Sequence, residues 1–223
     1  MSLRISRRVV LRTGAAAVVA GAALPTAAAR AQAPSKPRRE TSANGWPIQA
    51  TKDVDSQVWT RTVSGTGLSV PVSIGDAETI LLHVVRRFHY EIEQIPSIDL
   101  TGWQPAAEVA KGRPESNLAS GSAVRIRPGS RAKGGFFPLQ ELVLRDILAD
   151  CEGVVRWGGD DDQVDESLFY IALGPRHKRV RTLADRFRGF ERKPGAGAGV
   201  SVDFLAKPRR SRADALARAQ RTR

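Results

Sequence analysis

Two stretches of the 223-residue chain gather residue types that do chemistry. The first is Ser116-Asn117-Leu118-Ala119-Ser120-Gly121-Ser122-Ala123-Val124-Arg125. Hydroxyl and amide groups crowd its first half, and Val124 and Ile126 alternate with Arg125 and Arg127 beyond it, which predicts a tight turn feeding a strand. Polar turns of this kind commonly carry metal or substrate. The second stretch is acidic: Asp160-Asp161-Asp162, then Asp165-Glu166 just before the apolar run Leu168–Leu173. Such a cluster could bind a hard cation, although a solvated loop is the commoner outcome.

Other chemistry-bearing residues are sparse. His83 and His89 are six residues apart on a predicted helix, which sets them about 240° apart around its axis. Metal ligands on one helix face favour spacings of three or four, so both histidines are expected at the surface or boundary. The single cysteine, Cys151, has no partner for an internal disulfide and lies in an apolar helical pattern, as a small buried hydrophobe would. No Gly-x-Ser-x-Gly elbow occurs and no histidine lies near either stretch, so nucleophilic catalysis has little support.

The elements that must position these residues follow from periodicity. Gly65 and Gly67 precede alternating Leu68, Val70, Val72 and Ile74, a turn and then a strand. Ile80, Leu81, Val84, Val85, Phe88, Ile92 and Ile95 form one stripe of a long amphipathic helix over 77–95, which Pro96 stops. Pro138 opens a second helix through Leu139, Leu142, Val143, Ile147 and Leu148, ended by Gly153. Val154-Val155-Arg156-Trp157 is a short apolar run closed by Gly158-Gly159, Ser167–Leu173 is the best strand in the chain, and Val180, Leu183, Ala184 and Phe187 mark a last helix. Short strands mixed with long helices, without regular alternation, predict an α+β domain with a small antiparallel sheet packed against helices.

The N-terminus reads as an address. Ser6-Arg7-Arg8-Val9-Val10-Leu11 is a twin-arginine pair before an Ala- and Gly-rich apolar run, followed by Ala27-Ala28-Ala29 and Ala31-Gln32-Ala33. This pattern predicts a Tat export signal over 1–33 rather than a transmembrane anchor, and no anchor after its removal. The expected organisation is then a linker at 34–43, one domain at 44–192 and a flexible basic tail at 193–223. The formal charge of +12 falls to +7 without the signal, whose five arginines face no acid, and six of those charges lie in residues 207–223. The nearly neutral body and extracellular or wall-associated destination argue against a nucleic-acid partner.

Four segments in order carry a resemblance: Asn44-Gly45-Trp46-Pro47, Ser116–Ala123, Val155-Arg156-Trp157-Gly158-Gly159-Asp160 and Asp165-Glu166-Ser167-Leu168-Phe169. Together they are similar to the M15 zinc peptidases, D-alanyl-D-alanine carboxypeptidases and endolysin-type enzymes of cell-wall peptides. The resemblance implies an M15 domain, with its three zinc ligands at Leu118, Arg125 and Leu168 and its general base at Asp165. None of those three side chains can bind zinc, so no cofactor is expected. Arg113 is only a loose match for the family's substrate-carboxylate arginine. Arg125 is expected to pair with Asp165 or Glu166, and the ligand-pocket candidates are Ser116, Asn117, Ser120, Arg125, Trp157, Asp165 and Glu166.

The expected function is therefore an exported, non-catalytic peptidase-like protein that binds cell-wall peptide or an envelope protein. Two alternatives stand beside it. One is an active wall peptidase with an unrecognised site; the other is a structural envelope protein that acts through its basic tail.

Overall fold

The computed structural model describes residues 40–129, 132–193 and 195–221, which belong to one compact unit. The predicted export signal and most of the expected linker lie outside the described residues.

The chain forms an α+β domain with two small antiparallel sheets. Strands β1 (Val58–Val63) and β2 (Leu68–Ser73) make a hairpin, with Val63 opposite Leu68. Helix α1 (Asp76–Glu91) follows and buries Ile80, Leu81, Val84, Val85 and Phe88, the stripe expected from sequence. It stops before the predicted end at Ile95, where the Ile95 N–H donates to His89 Nδ1 at 3.1 Å. Strands β3 (Leu100–Thr101), β4 (Ala123–Ile126), β5 (Val155–Trp157) and β6 (Leu168–Ile171) form the second sheet in the order β3-β4-β6-β5. Helices α2 (Pro138–Asp150) and α3 (Lys178–Glu191) complete the predicted set.

The strand period of two divides this sheet chemically. Val124, Ile126, Phe169 and Ile171 join the main core with α1, α2 and α3. In that core Phe88 meets Phe169 edge-on at 6.0 Å and Phe136 at 5.9 Å. Ala123, Arg125, Leu168 and Tyr170 occupy the alternate positions, with Ala123 paired to Tyr170 and Arg125 to Leu168 across the strands. The second face therefore carries two of the residues singled out from sequence, Arg125 and Leu168.

The expected flexible tail is corrected. Lys207–Arg221 forms helix α4, packed on α2. Its apolar seam is thin, with Ala213 buried and Leu216 partly buried. Ion pairs supply what that seam lacks. Arg209 donates to both Asp146 oxygens at 2.8 and 2.6 Å and to Asp150 at 2.8 Å. From α1, Arg87 reaches the same carboxylates at 2.9 and 2.8 Å and also grips Glu91. Gln220 donates to the Val155 carbonyl at 3.1 Å, so the far end of α4 engages β5. The linker boundary also moves: Ser42, placed in the linker, is buried and bonded to Ser120 at 3.0 Å. No described helix is long and apolar enough to cross a membrane.

Arg87 and Asp146 are 2% and 1% exposed, so each depends on the other's charge. Burial opposes the Asp146 charge, but hydrogen bonds from Arg209 and Arg87 outweigh it and hold this carboxyl below its ordinary 3.8. A depressed folded value adds stability above the unfolded value, and that stability is lost as pH falls through the folded one. Urea denaturation should therefore show a steeper loss of stability below pH 3.8 in the native protein than in Asp146→Asn. At neutral pH Arg87→Met should cost about 3–5 kcal/mol, because it strands buried carboxylates.

Candidate functional site

The Ser116 stretch starts as a 3-10 helix, Pro114–Ser120, rather than a simple turn. It ends at Gly121, whose φ of 68° is left-handed. A side chain there would also meet the Ser73 nitrogen at 2.6 Å. This close approach lets Ser73 N–H donate to the Gly121 carbonyl at 2.8 Å and ties the hairpin to the start of β4.

Ser116, Asn117 and Ser120 are not pocket residues. All three are buried, and their polar atoms are used by the chain's own N-terminal segment. Ser116 Oγ accepts from Ala43 N–H at 2.9 Å, Asn117 Oδ1 from Asn44 N–H at 3.1 Å, and Ser120 Oγ from Ser42 Oγ at 3.0 Å. Asn44 also donates to the Ile171 carbonyl at 2.7 Å, and Trp46 Nε1 to the Leu173 carbonyl at 2.9 Å. The polar pattern that looked like a binding turn is a latch for residues 42–46.

The second sheet face does make a cleft, between the loop at 112–115 and the loop at 160–165. One recess of about 200 Å³ is lined by Arg125, Asp165 and Leu168 with Glu115 and Val164. It shares Arg113, Pro114, Asp161 and Gln163 with a recess of about 450 Å³ that reaches Arg156 and Tyr170. Beneath them Leu118, Ala123, Leu168 and Tyr170 form a small apolar cluster, separate from the main core. The three positions assigned to metal ligands are thus neighbours: Arg125 and Leu168 are cross-strand partners, and Leu118 packs with Leu168.

Arg125 is 2% exposed, and all three guanidinium nitrogens are engaged. Its Nε and NH2 donate to Asp165 Oδ2 at 3.3 and 3.0 Å, its NH2 to Glu115 at 2.7 Å, and its NH1 to Gln104 at 3.0 Å. The expected pairing with Asp165 is present, but the second carboxylate is Glu115 and not Glu166. Asp165 is itself aimed by its neighbours, since its Oδ1 accepts from Ser167 Oγ at 2.5 Å. Gly158 allows that placement. A Cβ there would meet the Asp165 carbonyl at 2.5 Å, and the Gly158 carbonyl accepts the Asp165 N–H at 3.0 Å.

A zinc ion does not fit these residues. Leu118 and Leu168 have no donor atom, and Arg125 places a fixed positive charge where a dication would sit. Asp165 is committed to Arg125, so it has neither the position nor the free lone pairs of a general base facing a bound water.

Glu166 and Trp157 have other work. The Glu166 carboxylate accepts from the N–H groups of Gly134 and Gly135 at 2.7 and 2.8 Å, which anchors the loop before α2. Trp157 is buried, donates to the Glu166 carbonyl at 2.7 Å, and lies under the Arg145 guanidinium at 4.7 Å. Both border a third recess of about 420 Å³, which shares Asp161 and Val164 with the one of about 200 Å³. Asp160 pairs with Arg145 and Arg221, and Asp161 accepts from Tyr170 at 2.9 Å and Arg156 at 3.1 Å. Burial raises the Asp161 carboxyl above its ordinary value despite these bonds, and it raises the Tyr170 hydroxyl as well. This triad was missed from sequence because its members are scattered over β5, β6 and a loop.

The histidines and the cysteine carry no site. His83 stacks on Phe187 at 3.8 Å, and burial followed by repulsion from Arg87 lowers it to about 3. The burial of Cys151 pushes its thiol up to about 12. Among the described residues no group of three or more His, Cys, Asp or Glu is placed to hold a metal ion.

Replacing Arg125 alone leaves Asp165 and Glu115 without their cation, whereas neutralising the set removes the conflict. Arg125→Met should therefore cost about 3 kcal/mol or more in urea denaturation. The triple variant Arg125→Met/Asp165→Asn/Glu115→Gln should recover at least half of that loss. No family model, curated protein or solved structure matches this chain.

Proposed function

We propose that this protein is an exported, non-catalytic relative of the M15 zinc peptidases that uses the cleft over β4 and β6 to bind a cell-wall peptide or an envelope protein. One observation carries the reading. Arg125 and Leu168, assigned as ligand positions by sequence resemblance alone, line one recess with Asp165, and Leu118, the third such position, is buried in the apolar cluster that includes Leu168. Their chemistry is self-consistent, because the leucines fill apolar volume and the arginine neutralises two carboxylates.

What remains is a cleft suited to holding an extended ligand without cutting it. Arg113 and Asp162 stand exposed at its border, Tyr170 and Arg156 line its wider part, and Val164 overhangs the narrower recess. Charged side chains of both signs line most of the cleft, with Val164, Leu168 and Tyr170 among its apolar contacts, which suits a ligand that carries both amide and charged groups.

Two measurements test the reading. In calorimetric titration with soluble peptidoglycan peptides the protein should bind saturably, and Val164→Arg, at a half-exposed position of the cleft wall, should weaken binding about tenfold or more. Absence of binding to every wall peptide would remove the peptide arm, and release of D-alanine with turnover would remove the non-catalytic one. For the ancestry of the scaffold, Leu118→His/Arg125→Asp/Leu168→His should take up one zinc per chain, measured by elemental analysis. A folded triple variant that takes up no zinc would contradict the assignment of these positions.

A further inference from the structure

Helix α4 is attached to the domain differently from the other long helices. On α3, Val180, Leu183, Ala184 and Phe187 are buried, whereas on α4 only Ala213 and Gln220 are. Charge holds it instead. Arg209 reaches Asp146 and Asp150, Arg212 reaches Asp150 at 3.5 Å, and Arg221 reaches Asp160 at 3.2 Å and Glu141 at 3.6 Å. The Arg212 and Arg221 side chains are each 57% exposed, so dissolved ions screen these bonds. The described residues of 192–206, which join α4 to α3, form no helix or strand.

Each of these four carboxylates has a second cation in the body of the domain. Arg87 on α1 pairs with Asp146 and Asp150, and Arg145 on α2 pairs with Glu141 and Asp160. Lifting α4 away therefore strands no buried acid, and a stranded charge is what makes most buried pairs costly to break. The far end of the helix is also incompletely satisfied where it lies. Gln220 is 5% exposed and its Oε1 meets no hydrogen-bond partner among the described residues, a cost that exists only in the docked position.

We infer that α4 is a detachable strap, held by charge and undocking as a unit, whose last turn shapes the wider recess of the cleft. Two contacts link it to that recess of about 450 Å³. Arg156 NH2, from β5, donates to the Gln220 carbonyl at 3.1 Å and to Asp161 at 3.1 Å, and Asp161 in turn accepts from the Tyr170 hydroxyl. Arg221 lines the recess itself, bonded to Asp160 at the head of the loop at 160–165. Undocking takes away one wall of the recess and leaves Arg156 and Asp160 each with one anchor fewer. A ligand that fills the recess against this wall favours the docked strap, and salt favours the free one. This control of binding rests on the cleft being the ligand site; the strap itself does not.

Hydrogen exchange followed by mass spectrometry tests the strap without any ligand. The amides of α4 should be less protected than those of α1, and less still as salt rises. Arg209→Gln/Arg212→Gln should speed their exchange about tenfold or more, and the loop at 160–165, which neither side chain touches, should follow. Lys178→Gln/Arg181→Gln, the same loss of charge at exposed positions of α3, should change neither. The inference is overturned if α4 is as protected as α1, if salt leaves it unaltered, if the loop does not follow, or if the α3 variant acts alike. Saturating soluble peptidoglycan peptide should slow α4 exchange about fivefold or more. A peptide that binds without slowing it overturns the control of binding. Absence of any peptide binding removes the peptide reading, and ligand-free exchange still decides the strap.

Discussion

A guanidinium carries its charge into whatever environment the fold gives it, and Arg125 is placed in the middle of a sheet. Arginine does not deprotonate to escape burial, so the protein must bring acceptors to it. Glu115 arrives from the 3-10 helix before β4, Asp165 from the loop before β6, and Gln104 from the segment after β3. Satisfying one side chain thus fixes three connections and sets both walls of the cleft. The adjoining leucines complete the arrangement, since Leu118 and Leu168 fill the space beside Arg125 with groups that ask for no partner. The cleft's floor and walls are thus held by contacts within the chain itself.

The same logic operates at the opposite side of the sheet. Arg87 and Asp146 are nearly inaccessible, and their pairing draws in Glu91, Asp150 and Arg209 from three helices. Buried ion pairs add little net stability compared with apolar packing, but they are demanding about geometry. Here they decide where α4 lies, because its apolar seam alone is too thin to specify a position. The helix, so placed, lends Gln220 and Arg221 to the neighbourhood of β5 and Asp160.

Polar residues of the Ser116 stretch illustrate how one pattern serves two ends. Ser, Asn and Gly in a short run favour turns, and turns favour sites. Here the segment 42–46 folds across them and takes their hydrogen bonds, while the chemistry moves to the strand face behind. That the cleft is built from Arg125, Leu168 and Asp165 rather than from the serines follows from alternation in β4 and β6: only one side of each strand can face it.

The sequence alone determined the three central helices, the strand character of β2, β4 and β6, and the sides on which their apolar residues lie, because these follow from local periodicity. That Leu118, Arg125, Leu168 and Asp165 lie near one another is a matter of strand pairing and of one ion pair. Tertiary structure decided what local patterns do not encode: that β1 pairs with β2, that Glu115 rather than Glu166 meets Arg125, that Tyr170 joins Asp161, and that a basic C-terminal segment becomes a docked helix. Each of these depends on which of several available partners the folded backbone brings within reach, across ten residues for Glu115 and Arg125 and more than sixty for Asp146 and Arg209. A charged or polar group shows in the sequence that it needs a partner, but only the folded chain determines which one it reaches.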